Sequence, residues 1–219
     1  MKQKYRLTDE TIKHNGVTLY RIEALMDFCN VRTGDKGGFI QSVLNLSQKG
    51  DCWIYDEAKV CGEALVYGNA MVWGEAWIYG NARVWGEAWI HGNARVCDQA
   101  IVFGNAWVYG NAWVYDNARV YDQAIVCGNA WVYDNARIFG EASVCGEAII
   151  KSMQDYTVFK NWWSSGRYFT WTRSNNMWKV GCFYGTGEEL IHKAYADSEE
   201  SGREYERVVR YVASILASK

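Results

Sequence analysis

Isoleucine or valine recurs at every sixth position between residues 54 and 150, without interruption. Alanine stands two residues before each of these positions from Ala58 to Ala148. Because side chains of a strand alternate between its two faces, the phrase Ala-x-Val predicts a strand of about three to five residues that buries alanine and valine together. The pair that follows is Gly-Asn, Gly-Glu, Asp-Asn, Asp-Gln or Asp-Glu, and these residue types favour tight turns. The pattern thus predicts one strand and one corner in every six residues.

The uniform spacing predicts a solenoid. The phrase never varies to admit the hairpins of a sandwich, so every strand must continue in the same winding direction. With three flat sides per coil, eighteen residues complete a turn, and the seventeen aliphatic positions give between five and six coils at a spacing of about 4.8 Å. The predicted fold class is mainly β, a parallel β-helix of hexapeptide repeats over residues 51–150.

The flanking segments lack the repeat and predict two further units. Residues 1–50 contain a hairpin pattern with His14-Asn15-Gly16 at its turn, followed by GDKGGFI and NLS, and we expect them to form an N-terminal β cap over the open strand edge. Residues 151–219 predict a small α+β domain, with strands in YTVFKNWW, RYFTWTR and KVGCFYG and helices that start at capping boxes 186–189 and 201–204. The second helix carries an amphipathic stripe: Tyr205, Val208, Val209, Val212, Ile215 and Leu216.

Folding the sequence at eighteen residues per coil separates three outer sides that are rich in aromatic residues. Rings recur in the same column from coil to coil, which favours stacked ladders between neighbouring strands. Walls this apolar equally favour contact between molecules. One side places an arginine before the buried aliphatic residue and an aromatic residue after it: Arg83 with Trp85, Arg119 with Tyr121, and Arg137 with Phe139.

Charge and composition exclude several classes of function. The formal net charge is −2 and no basic stripe is present, so long nucleic acid is a poor ligand. No apolar run reaches about 18 residues and the N terminus lacks a signal-peptide core, which predicts a cytoplasmic protein that does not contact a membrane. Four of the seven cysteines share one repeat position with aromatic residues, so we expect reduced thiols that fill space, with neither a metal site nor a disulfide framework. These four are Cys61, Cys97, Cys127 and Cys145.

The repeats resemble those of a known superfamily. Phrases such as GNARV and GNAWVYG across residues 53–150 are similar to those of the trimeric hexapeptide-repeat acyltransferases. This resemblance implies a left-handed coil and a homotrimer. With the opening strand pair, GDKGGFI, NLS and the tail VGCFYGT, the whole chain resembles a group of hexapeptide-repeat proteins encoded by bacteriophages and prophages. That second resemblance implies a phage origin and the host bacterial cytoplasm, and it assigns no reaction.

An acyltransferase is one of three functional hypotheses. Enzymes of the superfamily use a histidine near a subunit boundary to deprotonate an acceptor hydroxyl or amine for attack on a thioester. His91 is the only histidine within the repeats, whereas His14 and His192 lie in a predicted turn and helix. Such enzymes usually interrupt their repeats with a loop that builds the pocket, and here the repeats are unbroken. His91 also replaces an aromatic residue in its column, which favours a structural role.

The preferred hypothesis is a non-catalytic binding protein without a cofactor. Planar guanidinium groups beside aromatic rings suit a phosphate that carries a stackable base. The alternative for these arginines is that they lie over rings and pair with acidic residues at the corners. A small nucleotide-like anion, such as a signal of bacterial immunity that a phage protein sequesters, is the expected ligand. The candidate ligand-binding residues are Arg83, Trp85, Arg119, Tyr121, Arg137 and Phe139.

The third hypothesis is a self-assembling scaffold or protein-interaction module. The aromatic walls would then serve assembly, and the C-terminal domain would supply the recognition end. Tryptophans in that domain lie near lysines and arginines in sequence, although tryptophans are more often core residues. These tryptophans are Trp162, Trp163, Trp171 and Trp178.

Overall fold

The solenoid consists of seventeen strands of two residues, one at each predicted aliphatic position. The structure is a computed structural model that describes residues 3–217. The cap strands are β1 (Tyr5–His14), β2 (Val17–Ala24) and β3 (Lys36–Ile40). The solenoid strands are β4 (Trp53–Ile54), β5 (Lys59–Val60), β6 (Leu65–Val66), β7 (Met71–Val72), β8 (Trp77–Ile78), β9 (Arg83–Val84), β10 (Trp89–Ile90), β11 (Arg95–Val96), β12 (Ile101–Val102), β13 (Trp107–Val108), β14 (Trp113–Val114), β15 (Arg119–Val120), β16 (Ile125–Val126), β17 (Trp131–Val132), β18 (Arg137–Ile138), β19 (Ser143–Val144) and β20 (Ile149–Ile150). The C-terminal elements are β21 (Tyr156–Lys160), β22 (Tyr168–Thr172), β23 (Met177–Val180), β24 (Phe183–Gly185), α1 (Gly187–Asp197) and α2 (Glu199–Ala217).

Three parallel sheets run along the solenoid, and each takes every third strand. The five-stranded sheet β18-β15-β12-β9-β6 carries the arginines, and we call its outer surface the arginine face. The six-stranded sheet β19-β16-β13-β10-β7-β4 carries His91, and its outer surface is the histidine face. The third sheet continues from β20-β17-β14-β11-β8-β5 into the cap strands β3-β2-β1, and its outer surface is the cap face. This order confirms eighteen residues per coil and about six coils. The strands are shorter than the predicted three to five residues, because the corner takes up the rest of each phrase.

The core is the column of aliphatic residues along the axis. Every repeat alanine and every repeat valine or isoleucine is at most 1% exposed. Burying one valine or isoleucine side chain contributes about 1.5 to 3 kcal/mol before the entropy cost. The first residue of each corner pair has a positive φ throughout, and Asp56 (51°) and Asp116 (54°) occupy this position as glycine does in other coils.

The cap confirms the predicted hairpin and joins the solenoid more closely than the sequence indicated. Asn15 and Gly16 form its turn, with φ values of 48° and 80°. GDKGGFI contributes β3, which pairs antiparallel with β2 and parallel with β5. A Cβ on Gly38 would lie 2.5 Å from the carbonyl oxygen of Ala58, so only glycine lets β3 approach the first coil. The cap thereby pairs with the free edge of β5, the first solenoid strand of this sheet.

Buried side chains of the cap make hydrogen bonds and ring contacts with the segment that leads into the first coil. The ammonium group of Lys4 donates to the carbonyl oxygens of Gly50 (3.1 Å) and Cys52 (2.8 Å). Burial lowers the pKa of Lys4. Tyr5 packs edge-on against the buried Trp53 ring, at 6.1 Å between centroids.

The C-terminal domain closes the opposite end. Its sheet β21-β22-β23-β24 is antiparallel, with turns at the predicted SSG and SNN segments. Side chains of this domain satisfy backbone amides at the last strand edges: Ser143 N donates to Thr170 Oγ1 (2.8 Å), and Ile149 N donates to Ser174 Oγ (2.7 Å). The open edges of the solenoid are therefore paired by side chains of the next unit.

The first predicted capping box is confirmed and the second is wrong. Thr186 and Glu189 form the reciprocal box that starts α1. Helix α2 begins at Glu199, and Ser201 N donates to Ser198 Oγ (3.1 Å), so the cap lies three residues earlier than predicted. Of the predicted stripe on α2, Tyr205 and Val212 are buried, whereas Ile215 remains exposed. No helix among residues 3–217 is long and apolar enough to cross a membrane.

Candidate functional site

Five aromatic rings form one continuous stack along the arginine face. Neighbouring centroids lie 4.7–5.4 Å apart, with angles of 5–12° between ring planes. Such offset stacking stabilises aromatic pairs beyond the area that they bury. The structure confirms the predicted ladder on this face. It consists of Tyr67, Trp85, Phe103, Tyr121 and Phe139.

The stack leaves few ring faces for a ligand. Interior rings such as Trp85 and Tyr121 have a protein ring on both sides, and spacings near 5 Å leave no room for another ring between them. Phe139 is the last ring and is 41% exposed. It borders a groove of about 450 Å³ that is also lined by Met153, Tyr156 and Val158. A stackable ligand therefore has its best access at the Phe139 end of the ladder.

Two of the three candidate arginines lie side by side. Arg119 and Arg137 are parallel partners in neighbouring strands, and both are exposed. Arg83 lies two strands away, with Ile101 between it and Arg119. Like charges directly opposite each other are destabilising, and an anion between them removes that repulsion. Arg119 and Arg137 therefore form an exposed pair of like charges, and Arg83 is separate from it.

The alternative role for these arginines, pairing with corner carboxylates, is not observed. No ion pair or ring-stacking contact in the part of the chain that the structure describes involves Arg83, Arg119 or Arg137. The ladder rings lie beside the arginines on the same face, so a bound anion would contact both kinds of group.

His91 lies in an aromatic stack on the histidine face. Its ring is 4.8 Å from the Trp73 ring and 4.8 Å from the Tyr109 ring, with interplanar angles of 2° and 3°. Partial burial lowers its pKa, which favours the neutral imidazole. A neutral imidazole can accept a proton, but both ring faces are covered and the arginine pair is on another face. The structure thus gives His91 the position of a ladder member.

Within the described coils, Arg95 is an arginine that stacks on rings, and sequence reasoning did not single it out. Its guanidinium carbon lies 4.8 Å from the Trp113 ring centroid and 5.8 Å from that of Trp77. The sequence indicates this contact, because Trp77, Arg95 and Trp113 follow one another at intervals of eighteen residues on the cap face. Arg95 thus lies over aromatic rings, which is the structural role that the sequence offered as an alternative for Arg83, Arg119 and Arg137.

The expectation of reduced thiols is wrong for one pair of cysteines. Cys127 and Cys145 form a disulfide, with Cα atoms 4.5 Å apart. Parallel in-register stacking places the same position of successive coils at a separation that a disulfide can span. Cys61 and Cys97, whose columns have aromatic neighbours in the next coil, remain free thiols.

The C-terminal tryptophans divide between core and surface. Trp171 and Trp178 are buried in the domain core, and Trp163 packs against it. Trp162 is 73% exposed. Within residues 3–217, no group of three or more His, Cys, Asp and Glu side chains is arranged to hold a metal ion.

Comparison with known proteins finds similarity in the coils. The family model described as YdcK Beta solenoid repeat matches residues 76–92 and 112–128. The chain is also similar to the protein named "Uncharacterized acetyltransferase YdcK" of Escherichia coli (strain K12), with 40% identity over 63 residues. That match covers 25% of this chain and 19% of the relative, so it spans less than two thirds of the relative's length. The family model thus matches part of the coils, and its description agrees with the solenoid that they form.

Proposed function

We propose that this protein is a non-catalytic, homotrimeric binding protein that holds a small nucleotide-like anion at the Phe139 end of the arginine face. The observation that carries the proposal is the exposed Arg119–Arg137 pair, which has no acidic partner among the described residues and lies beside Tyr121 and Phe139. The left-handed coil and the phage origin implied by the sequence resemblance belong to the same proposal. In a phage protein, this binding would sequester a nucleotide signal of host immunity.

The chemistry of the ligand follows from the geometry. A phosphate oxygen pair accepts charge-assisted hydrogen bonds from two planar guanidinium groups. The attached base stacks on the free face of Phe139, with Met153 and Val158 as the apolar wall of the groove. Arg83 and Trp85 lie two coils away and would contact only an extended ligand, such as a dinucleotide.

The position of the coil histidine supports binding without reaction, and the carboxylate that lines the groove at Phe139 is Glu141. His91, the histidine of the coils, is on the histidine face, a different side of the solenoid from the arginine pair. General acid–base catalysis requires a group within hydrogen-bond reach of the proton that it transfers. A ligand held by Arg119 and Arg137 is therefore expected to be released unchanged.

Two other functions are favoured by single observations. The similarity to a protein named as an acetyltransferase favours acyl transfer, with His91 as the base. Exposed apolar residues on two other faces, Trp107 (40%) and Trp131 (44%), favour a scaffold. The experiments below separate these functions from ligand sequestration.

We expect the purified protein to retain a small anion that mass spectrometry detects after denaturation. Arg119→Gln and Arg137→Gln should each reduce retention about tenfold or more, since hydrogen bonds to charged groups contribute about 1.5–3 kcal/mol. Arg83→Gln is the matched control for mononucleotides, because it removes the same charge from the same face outside the pair, whereas weaker dinucleotide binding in this variant would indicate an extended ligand. Titration with mononucleotides and cyclic dinucleotides measures the same affinities directly.

Two outcomes would contradict sequestration. Acyl transfer from a thioester that is lost in His91→Ala would favour the acyltransferase. If no nucleotide is retained or bound by titration and no turnover is detected, the scaffold is favoured.

We expect a homotrimer of about 75 kDa, three times the chain mass of 25.1 kDa, in light scattering after gel filtration. Glutamate at Trp107, Trp131 or Phe139 places a charge on one outer face at a time, and the variant that dissociates identifies the subunit interface. Tyr211→Glu, at an exposed position of α2, is the control. A monomer at micromolar concentration would contradict the proposed homotrimer.

A further inference from the structure

The C-terminal domain encloses a cavity of its own, of about 270 Å³, between its sheet and its two helices. One face of α1 supplies Leu190, Lys193, Ala194 and Asp197, at the i, i+3, i+4, i+7 spacing of residues that share a helix face. Val180 and Phe183 complete the apolar wall from the sheet side. The cavity is separate from the arginine face and is at the small end of the range for ligand pockets.

The floor of the cavity is polar and buried. Asn161 is 2% exposed, and its amide nitrogen donates to the Tyr205 hydroxyl (3.0 Å) and to Ser164 Oγ (2.8 Å). Its amide oxygen accepts from Ser164 N (2.9 Å). The amide is thus fully engaged and fixes the Tyr205 oxygen as an acceptor, which leaves the hydroxyl proton for a donor bond. Burial raises the pKa of Tyr205, so this proton is present at neutral pH.

The rim of the cavity is positively charged. Arg167 and Lys193 oppose a single carboxylate, Asp197. None of the ion pairs found in residues 3–217 involves these three side chains. Gly181 leaves room for the guanidinium, since a Cβ there would be 3.2 Å from Arg167 Nη1. Two unpaired cations above a hydroxyl donor favour an anionic ligand.

We propose that this cavity binds a small organic anion, a carboxylate or phosphate monoester with a compact apolar body. The anionic group lies between Arg167 and Lys193, and the Tyr205 hydroxyl donates to it. The apolar body packs against Val180, Phe183 and Leu190. A pocket that combines apolar walls with a few convergent polar groups is the usual form of a small-molecule site.

Titration by ¹H–¹⁵N NMR with benzoate, phenyl phosphate and benzamide tests this site. Benzamide has the shape of benzoate without its charge. We expect at least one of the two anions to bind about tenfold more tightly than benzamide, as charge-assisted bonds require. The preference between benzoate and phenyl phosphate identifies the anionic group that the site selects.

Variants of exposed residues locate the binding. Arg167→Gln and Lys193→Gln should each weaken anion binding about fivefold or more, with unchanged thermal midpoints because both side chains lie at the rim. Lys160→Gln in the same domain, and Arg119→Gln on the arginine face, should leave it unchanged. The proposal would be overturned if neither benzoate nor phenyl phosphate bound more tightly than benzamide, or if anion binding were insensitive to both rim variants. Arg119→Gln tests the arginine face separately. The proposal for the cavity and the proposal for the arginine face can therefore be disproved independently.

Discussion

Replacing Val108 by aspartate is expected to unfold the solenoid at neutral pH. Val108 is fully buried in the middle of the histidine-face sheet, between Ile90 and Val126 of the neighbouring strands. A carboxylate at this point meets only aliphatic side chains, and an unpaired buried charge destabilises a protein by about 4 kcal/mol or more. Each coil contacts only its neighbours. An unfolded central coil therefore also removes the contacts through which the coils on its two sides stabilise each other. Far-UV circular dichroism and thermal unfolding measure the loss.

Trp107→Asp is the matched control, one residue away. Trp107 points outward and is 40% exposed. The same carboxylate there is solvated, so the variant loses mainly the stack on Trp89, worth about 0.5–1.5 kcal/mol. Val108→Ile should also fold, because isoleucine occupies the same position in the preceding coil. A folded Val108→Asp variant with an unchanged thermal midpoint would contradict the assignment of the axis.

The coils could be predicted almost completely from the sequence, because the repeat sets their structure locally. Period six assigned the buried alanine and valine, and period eighteen assigned the three sheets and the columns on their outer faces. The adjacency of Arg119 and Arg137, with Ile101 separating Arg83, also follows from the eighteen-residue count. The eighteen-residue count does not show which aromatic ring faces are covered by neighbouring rings and which are open to a ligand. That property depends on the orientation of the side chains within the stack.

The parts that escaped prediction depend on contacts between unlike segments. The C-terminal cavity forms where α1, α2 and the loop containing Asn161 and Arg167 meet, and no periodicity relates those segments. The sequence likewise placed GDKGGFI in the cap, but the close approach of Gly38 to Ala58 depends on the three-dimensional fold. The Cys127–Cys145 disulfide is an exception, because it joins equivalent positions of two coils and was missed since cysteine is also a common packing residue.

Alkaline pH is expected to destabilise the folded protein steeply between about pH 9 and 12. Burial raises the pKa of the Cys97 thiol from 9.0 to about 12 and that of the Tyr156 hydroxyl from 10.0 to about 12. Within these windows the folded state keeps protons that the unfolded chain releases, so the free energy of unfolding falls as the pH rises. Each such proton contributes a slope of about 1.4 kcal/mol per pH unit. Burial shifts the pKa of Tyr115 in the same direction, to about 12.

Lys4 contributes to the pH dependence of the free energy of unfolding with the opposite sign, but the buried thiol and hydroxyl groups contribute more. Burial lowers its pKa from 10.5, so the unfolded chain binds its proton more tightly and stability rises with pH within that window. One group of this kind offsets about one of the protons that Cys97, Tyr115 and Tyr156 release on unfolding. The net slope therefore remains negative above pH 10, where the tyrosines of the unfolded chain ionise.

Urea unfolding at a series of pH values measures this slope. Cys97→Ala and Tyr156→Phe each remove one of the protons, so each variant should lose stability less steeply than the parent chain. The reductions should add in the double variant, because the two groups lie in different sheets. Tyr211→Phe, at a position 60% exposed on α2, should keep the parent slope. If Cys97→Ala and Tyr156→Phe both keep that slope as well, the buried thiol and hydroxyl are not the groups that make the solenoid sensitive to alkali.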